Sequence, residues 1–269
     1  MFNVLRDDDP HAVNAHKNAF ENGRALIVLG GPSGANWQNV RDKVNPDVLI
    51  GVNGVGAVID SLDYWLCAEN MSFWHGEIAR NKYGMRERAA DLMKMLNSAR
   101  ARVRIVNRLN KPLMGDHQNI IWIKRSHIEY EDIPSFRFRE YGDGLINGAR
   151  MQRPDLIKDL RAGTVGLQAI HFACILGCAE IHTIGFDLCL PTSEHHWYKY
   201  PSYVADGKFF KGDPFTTYDG LNTTFFWLDT MRYLVAVEPY LELQGITWFD
   251  YSGGLLLAAG LRCSTRQVA

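Results

Sequence analysis

The sequence predicts a Rossmann-like α/β fold: a mainly parallel sheet flanked by helices on both faces, with a long aromatic lid loop. Three observations predict it. Short apolar runs rich in β-branched residues alternate with helix-compatible segments along the chain. These runs are apolar at every position, as in strands covered by helices on each face. Several of them stop at glycine or a polar residue, and the carboxyl ends of parallel strands are where open α/β sheets take ligands.

Each element can be read in order. A short helix is expected near 11–21. Ala25-Leu26-Ile27-Val28-Leu29 is the first strand, ending in Gly30-Gly31-Pro32-Ser33-Gly34, and a helix-compatible stretch covers 36–43. Val48-Leu49-Ile50-Gly51-Val52 is the second strand, stopped by Asn53-Gly54, and Tyr64-Trp65-Leu66-Cys67-Ala68 the third. Ala, Met, Leu, Lys and Glu dominate 72–100, which predicts helix. Strands follow at 103–106 and 120–123, and 124–160 reads as an irregular insertion. Gly163-Thr164-Val165-Gly166 opens an apolar helix over 167–176. The strand from Glu180 runs to a tip at Gly185-Phe186-Asp187. A loop over 189–222, crowded with Tyr, His, Trp and Phe, is read as a lid, since loops this long are usually functional. Helix is expected over 222–243, then the strand Ile246-Thr247-Trp248-Phe249 and the tip Ser252-Gly253-Gly254.

Composition sets the outer bounds. The 269 residues, 46% hydrophobic and 22% charged, suit one Rossmann-like domain over 1–269, with its core in 23–110 and 160–260. With 29 basic against 30 acidic side chains there is no basic excess of the kind a nucleic-acid surface shows. Cys67, Cys174, Cys178, Cys189 and Cys263 are scattered and make no zinc spacing, so they read as buried hydrophobes in a reducing compartment. The chain begins without a signal-peptide pattern and has no run of about 18 apolar residues, so a cytoplasmic protein without a membrane span is expected.

The turn at Gly30 to Gly34 is the first candidate for chemistry. A strand ending in glycines and followed by a helix delivers backbone N–H groups and a partial positive charge to one point, which suits a phosphate. Glycine at 30 and 31 lets the backbone approach closely, Pro32 stiffens the turn and Ser33 offers a hydroxyl. The pattern is neither the dinucleotide fingerprint nor the P-loop, and a tight turn without ligand is the competing reading. Asn53 can present a donor and an acceptor to a base or sugar. Thr164 with its neighbouring N–H groups offers a second anion site, and Gly185 leads to Asp187, suited to a ribose hydroxyl or a metal-bridged phosphate.

Taken together, Ile27-Val28-Leu29-Gly30-Gly31-Pro32-Ser33, Val52-Asn53-Gly54, Gly163-Thr164-Val165-Gly166 and Ile184-Gly185-Phe186-Asp187 resemble one superfamily. It contains the bacterial sialyltransferases that use CMP-sialic acid and the archaeal 6-hydroxymethylpterin diphosphokinases. Ser252-Gly253-Gly254 is similar to a tip in the diphosphokinase branch. The resemblance implies that Gly31, Pro32 and Ser33 hold nucleotide phosphate and that Asn53 contacts the nucleotide. Thr164, Val165 and Gly166 fall where those transferases bind the sugar nucleotide with Thr-Ser-Gly. Val165 replaces the hydroxyl residue, and Cys189 stands where they have a tyrosine after the aspartate. Their catalytic histidine lies downstream of the aspartate, and this chain has no histidine after His196.

Glu194-His195-His196-Trp197-Tyr198-Lys199-Tyr200 is the densest chemical cluster. A histidine can deprotonate an acceptor hydroxyl, and tyrosines with Lys199 can stabilise a leaving phosphate. An aromatic lid or an oligomer contact is the competing reading, and a homo-oligomer stays open. In an extended loop His195 and His196 face opposite sides, and His196 is preferred as base. The leading expectation is a transferase using a nucleotide-activated, CMP-sugar-like donor and a glycan or small-molecule acceptor. It is sialyltransferase-like, with His196, Tyr198 and Asp187 catalytic. Gly30, Gly31, Pro32, Ser33, Asn53, Gly54, Thr164, Val165, Gly166 and Gly185 bind nucleotide, and no metal site is assigned. The alternatives are an ATP-dependent diphosphokinase, with Asp187 and Glu69 helping to hold Mg²⁺, and a non-catalytic nucleotide-binding module.

Overall fold

The computed structural model describes residues 14–67, 96–114, 119–123, 164–189, 197, 215–224, 227, 228, 230, 231, 234, 238, 241, 242 and 244–260. Seven strands form one sheet: β1 (Arg24–Val28), β2 (Val48–Val52), β3 (Leu62–Cys67), β4 (Ala101–Asn107), β5 (Ile120–Ile123), β6 (Glu180–Ile184) and, last in the chain, β9 (Thr247–Asp250). Every pairing among them is parallel, and the order across the sheet is β5-β4-β3-β2-β1-β6-β9. From β1 the chain moves outward through β2 to β5, then returns to lay β6 on the other side of β1. The strand order therefore reverses between β1 and β6, which opens a crevice at their carboxyl ends.

The period-two geometry of the strands sorts the core into two layers. Ala25, Ile27, Leu29, Val48, Ile50 and Val52 face one side, together with nearly all of helix α2 (Val165–Ile175). Leu26, Val28 and Leu49 face the other, against Val40 and Val44 of helix α1 (Trp37–Val44). Helices thus cover both faces, as the uniformly apolar strands require. Apart from its first residue, α2 is buried all the way along. Its last carbonyls are met by the amino-terminal segment: Asn18 N–H donates to Ile175, Phe20 N–H to Leu176 and Asn22 N–H to Gly177. Such bonds satisfy groups that a helix end leaves without partners.

Three expectations are corrected. In the stretch read as a helix over 11–21, the described part is a single 3₁₀ turn, Asn14–His16, followed by the turns that cap α2. The aromatic loop over 189–222 is not loop throughout, since β7 (Phe215–Tyr218) and β8 (Leu221–Thr224) form an antiparallel hairpin. Asp219 and Gly220 at its tip both have positive φ, 48° and 76°, which is the two-residue turn that matches strand twist. The helix expected over 222–243 consequently starts only after β8. The 124–160 insertion lies outside the described residues. Among the described residues, no helix is long and apolar enough to cross a membrane. The four cysteines within them, Cys67, Cys174, Cys178 and Cys189, are buried and outside any disulfide.

Phe172 locks α2 to the sheet. It is fully buried and meets Tyr64 of β3 edge-on, with ring centroids 5.0 Å apart and planes at 71°. Phe172→Ala is expected to lower the unfolding free energy by about 3–5 kcal/mol in urea titrations, the usual cost of an aromatic cavity. A loss under about 1 kcal/mol would mean that the packing is not what holds α2 in place.

Candidate functional site

Gly30 to Gly34, the tip of β6 and the first turn of α2 meet at the crevice. Pro32 opens a 3₁₀ turn, Pro32–Asn36, that runs straight into α1, so one helix entrance follows β1 directly. Gly166 lies against the side chains of Leu29 and Phe186, which brings the amino-terminal end of α2 to the same place from the opposite face. Thr164 caps α2, its hydroxyl accepting from Leu167 N–H at 3.4 Å. The N–H groups of a helix's first turn have no helical acceptor, so those of Val165 and Gly166 point out of this end. Asn53 and Gly54 sit one strand away, at the carboxyl end of β2. Asn53 has positive φ, 49°; its carbonyl accepts from the Trp65 indole at 2.6 Å, while its side-chain Oδ1 is buried without a partner.

Asp187 organises the crevice. Its Oδ2 accepts from the Ser33 hydroxyl at 2.9 Å and from Ser33 N–H at 3.2 Å. The same hydroxyl accepts from Gly185 N–H at 3.0 Å, and Gly31 N–H donates to the Gly185 carbonyl at 2.9 Å. The glycine at 31 is explained by this neighbour: a Cβ there would collide with the Asp187 carboxylate and the Gly185 carbonyl. Gly31, Ser33 and Gly34 already give their N–H groups to Gly185, Asp187 and Gly31, and Pro32 has none. Ser33 thereby ties the two strand tips together.

A second buried acid stands behind the first. Asp250, at the end of β9, is fully buried; Oδ1 accepts from Thr183 Oγ1 at 2.6 Å and from Ser252 Oγ at 2.8 Å. Its Oδ2 accepts from Ser252 N–H at 3.2 Å. Phe186 N–H donates to Ser252 Oγ at 2.7 Å, and the Trp248 indole donates to Thr183 Oγ1 at 3.0 Å. The tips of β6 and β9 are thereby bonded through Ser252. Nothing in the apolar strand around Asp250 marked it for sequence reading, although an acid followed two residues later by serine is a local capping pattern. Among the described residues, no three His, Cys, Asp or Glu side chains are grouped to hold a metal ion.

Trp197 pins the aromatic loop to β1. Its indole N–H donates to the Leu29 carbonyl at 2.9 Å, its backbone N–H donates to Gly30 at 3.2 Å, and its ring covers Gly34 where a Cβ would collide. His196 and Tyr198, its chain neighbours, lie outside the described residues, as do His195, Glu69 and Gly163. Cys189, the departure noted after Asp187, is buried.

Burial pushes the Asp187 carboxyl up to about 6 despite the bonds from Ser33. The Asp250 carboxyl is pushed up to about 7, chiefly by burial and further by the charge of Asp187. Both hold their protons more tightly folded than unfolded, where 3.8 is the ordinary value. Their stabilising contribution is thus complete below about pH 4 and is lost as pH rises through about 6 and about 7. Urea unfolding from about pH 5 to about pH 8 should show stability falling with pH, by at most about 1.4 kcal/mol per unit for each group. Asp250→Asn should flatten that fall, and an unchanged slope would remove Asp250 as its source. Ser33→Ala leaves Gly185 N–H without its acceptor and Asp187 Oδ2 with only the Ser33 N–H, and is expected to cost about 1–3 kcal/mol in the same titration.

Neither a protein-family model nor a curated protein matches the chain. Among solved structures it is similar to the sialyltransferase CST-II in complex with CMP, at 14% identity and a TM-score of 0.40 over 87% of this chain and 84% of that chain.

Proposed function

We propose that the β1–β6 crevice holds the phosphate of a nucleotide and that the chain is a transferase using a nucleotide-activated donor, a sialyltransferase-like glycosyltransferase. The observation that carries this reading is the meeting of the Ser33 turn, the Asp187 tip and the α2 entrance at the point where strand order reverses. An anion placed there faces the N–H groups of Val165 and Gly166 and the positive end of α2. Gly30, Gly31 and Pro32 form the β1 side of this crevice and Gly185 the β6 side. Asp187 gives Oδ2 to Ser33, and its other oxygen is the acceptor for a ribose or sugar hydroxyl. Asn53 contributes its buried, unpartnered Oδ1 from the β2 tip, with Gly54 beside it.

In this reading His196 is the base. Trp197, bonded to it in the chain, is anchored on Leu29 and Gly30. His196 takes the proton of an acceptor hydroxyl as that oxygen forms a bond to the donor's anomeric carbon. The bond from that carbon to the nucleotide phosphate breaks, and the phosphate leaves with the electron pair, stabilised at the α2 entrance and by Tyr198.

Calorimetry with CMP, UDP, GDP and ATP, each with and without Mg²⁺, tests the assignment. A cytidine nucleotide is expected to bind in the absence of metal. Binding of ATP alone and only with Mg²⁺ would replace glycosyl transfer by phosphoryl transfer, and no binding would overturn the nucleotide assignment. With a CMP-activated sugar and glycan acceptors, His196→Gln should lower turnover by about 10²–10⁴-fold while nucleotide affinity stays at the wild-type value. Full turnover would remove His196 from the mechanism.

A further inference from the structure

Helix α2 carries two polar side chains that its apolar composition does not explain. Gln168 and His171 are each 1% exposed, and neither the carboxamide of Gln168 nor either ring nitrogen of His171 has a hydrogen-bonding partner. Such atoms are rare in folded proteins, because losing water without a replacement bond costs free energy, and an unfilled set of them calls for an explanation. Two residues three apart share a helix face. Thr164 stands on the same stripe, four residues before Gln168 and seven before His171. Gly166, which packs against Leu29 and Phe186, lies on the opposite side of the helix from Thr164 and Gln168. Helical side chains lean toward the amino terminus, which aims Gln168 back over the turn that Thr164 caps.

We infer that the Thr164–Gln168–His171 stripe is a nucleobase subsite, continuous with the phosphate position at the α2 entrance. This rests on the nucleotide reading given above and extends it to the part of the ligand that is recognised. Gln168 offers two donors and an acceptor, and a neutral imidazole offers one of each, which is the alternating set that the edge of a purine or pyrimidine pairs with. Burial pushes the His171 imidazole down to about 4, so it is neutral at physiological pH and suits an uncharged ring. The helix rises about 6 Å from Thr164 to Gln168 and about 10 Å to His171. A mononucleotide spans that interval between its phosphate and its base.

The test compares CMP, UMP, AMP and GMP with ribose 5-phosphate, which has the phosphate and sugar but no base, by calorimetry on the full chain. Wild type is expected to bind at least one nucleotide about 10–100-fold more tightly than ribose 5-phosphate. Gln168→Met and His171→Leu should each abolish most of that difference and leave ribose 5-phosphate affinity unchanged. Without ligand, both variants should melt at or above the wild-type temperature, because each removes buried atoms that have no partner. Nucleotide binding at wild-type strength in both variants overturns the subsite and leaves the nucleotide reading standing. Melting well below wild type in both variants also overturns it, since the polar atoms would then serve the protein's own packing. A wild-type chain that binds ribose 5-phosphate as tightly as any nucleotide overturns the subsite alone. One that binds none of these probes overturns both.

Discussion

A single carboxylate oxygen at the end of β6 accepts two bonds from Ser33 at the end of β1, and the crevice takes its shape from that contact. Parallel strands diverge where their ladder ends, and a sheet whose order reverses leaves its two central tips free to part. Ser33 closes the gap by bonding Asp187 while accepting from Gly185, so the two loops leave the sheet at a fixed spacing. Gly31 is small because the carboxylate occupies the space beside it. The second acid repeats the device one strand further out, where Asp250 and Ser252 join β9 to β6. Three neighbouring strand ends are thus stitched by side chains that hydroxyl groups keep satisfied.

Burying two acids at one sheet edge has an electrostatic cost, and the structure shows how it is offset. Each carboxylate lies among hydroxyl and backbone donors rather than cations, which leaves its affinity for a proton high. An uncharged or singly charged pair is tolerated there where a fully ionised pair is penalised. With values of about 6 and about 7, the two acids give up their protons only as neutrality is approached.

The strands were legible because each is specified locally. Val48-Leu49-Ile50-Gly51-Val52 reads as a strand covered on both faces from its short, β-branched apolar run, and β2 occupies those residues. The glycine-bearing tips were legible for the same reason, since strand-to-helix turns need small residues wherever they occur. The role of Gly31 was not, because the group that fills its missing side chain comes from position 187. Asp250 and Trp197 were missed on similar grounds: their partners at Thr183, Leu29 and Gly30 are distant in sequence, and no spacing encodes them. The β7–β8 hairpin was missed differently. Asp219-Gly220 is a strong local signal, and the aromatic content around it masked the alternation of the flanking strands.

Because β1 pairs with β2 on one side and with β6 on the other, the centre of the sheet joins residues synthesised far apart in time. Leu29 N–H reaches the carbonyl of Ile184, 155 positions later, which at ribosomal rates is a delay of roughly 10–30 s. Throughout that interval the early half of the sheet has an apolar, flat, unpaired edge in the middle of its eventual core. Such an edge is a template for pairing with other chains. β6 pairs with β1 along the whole of that strand and closes the edge once it emerges.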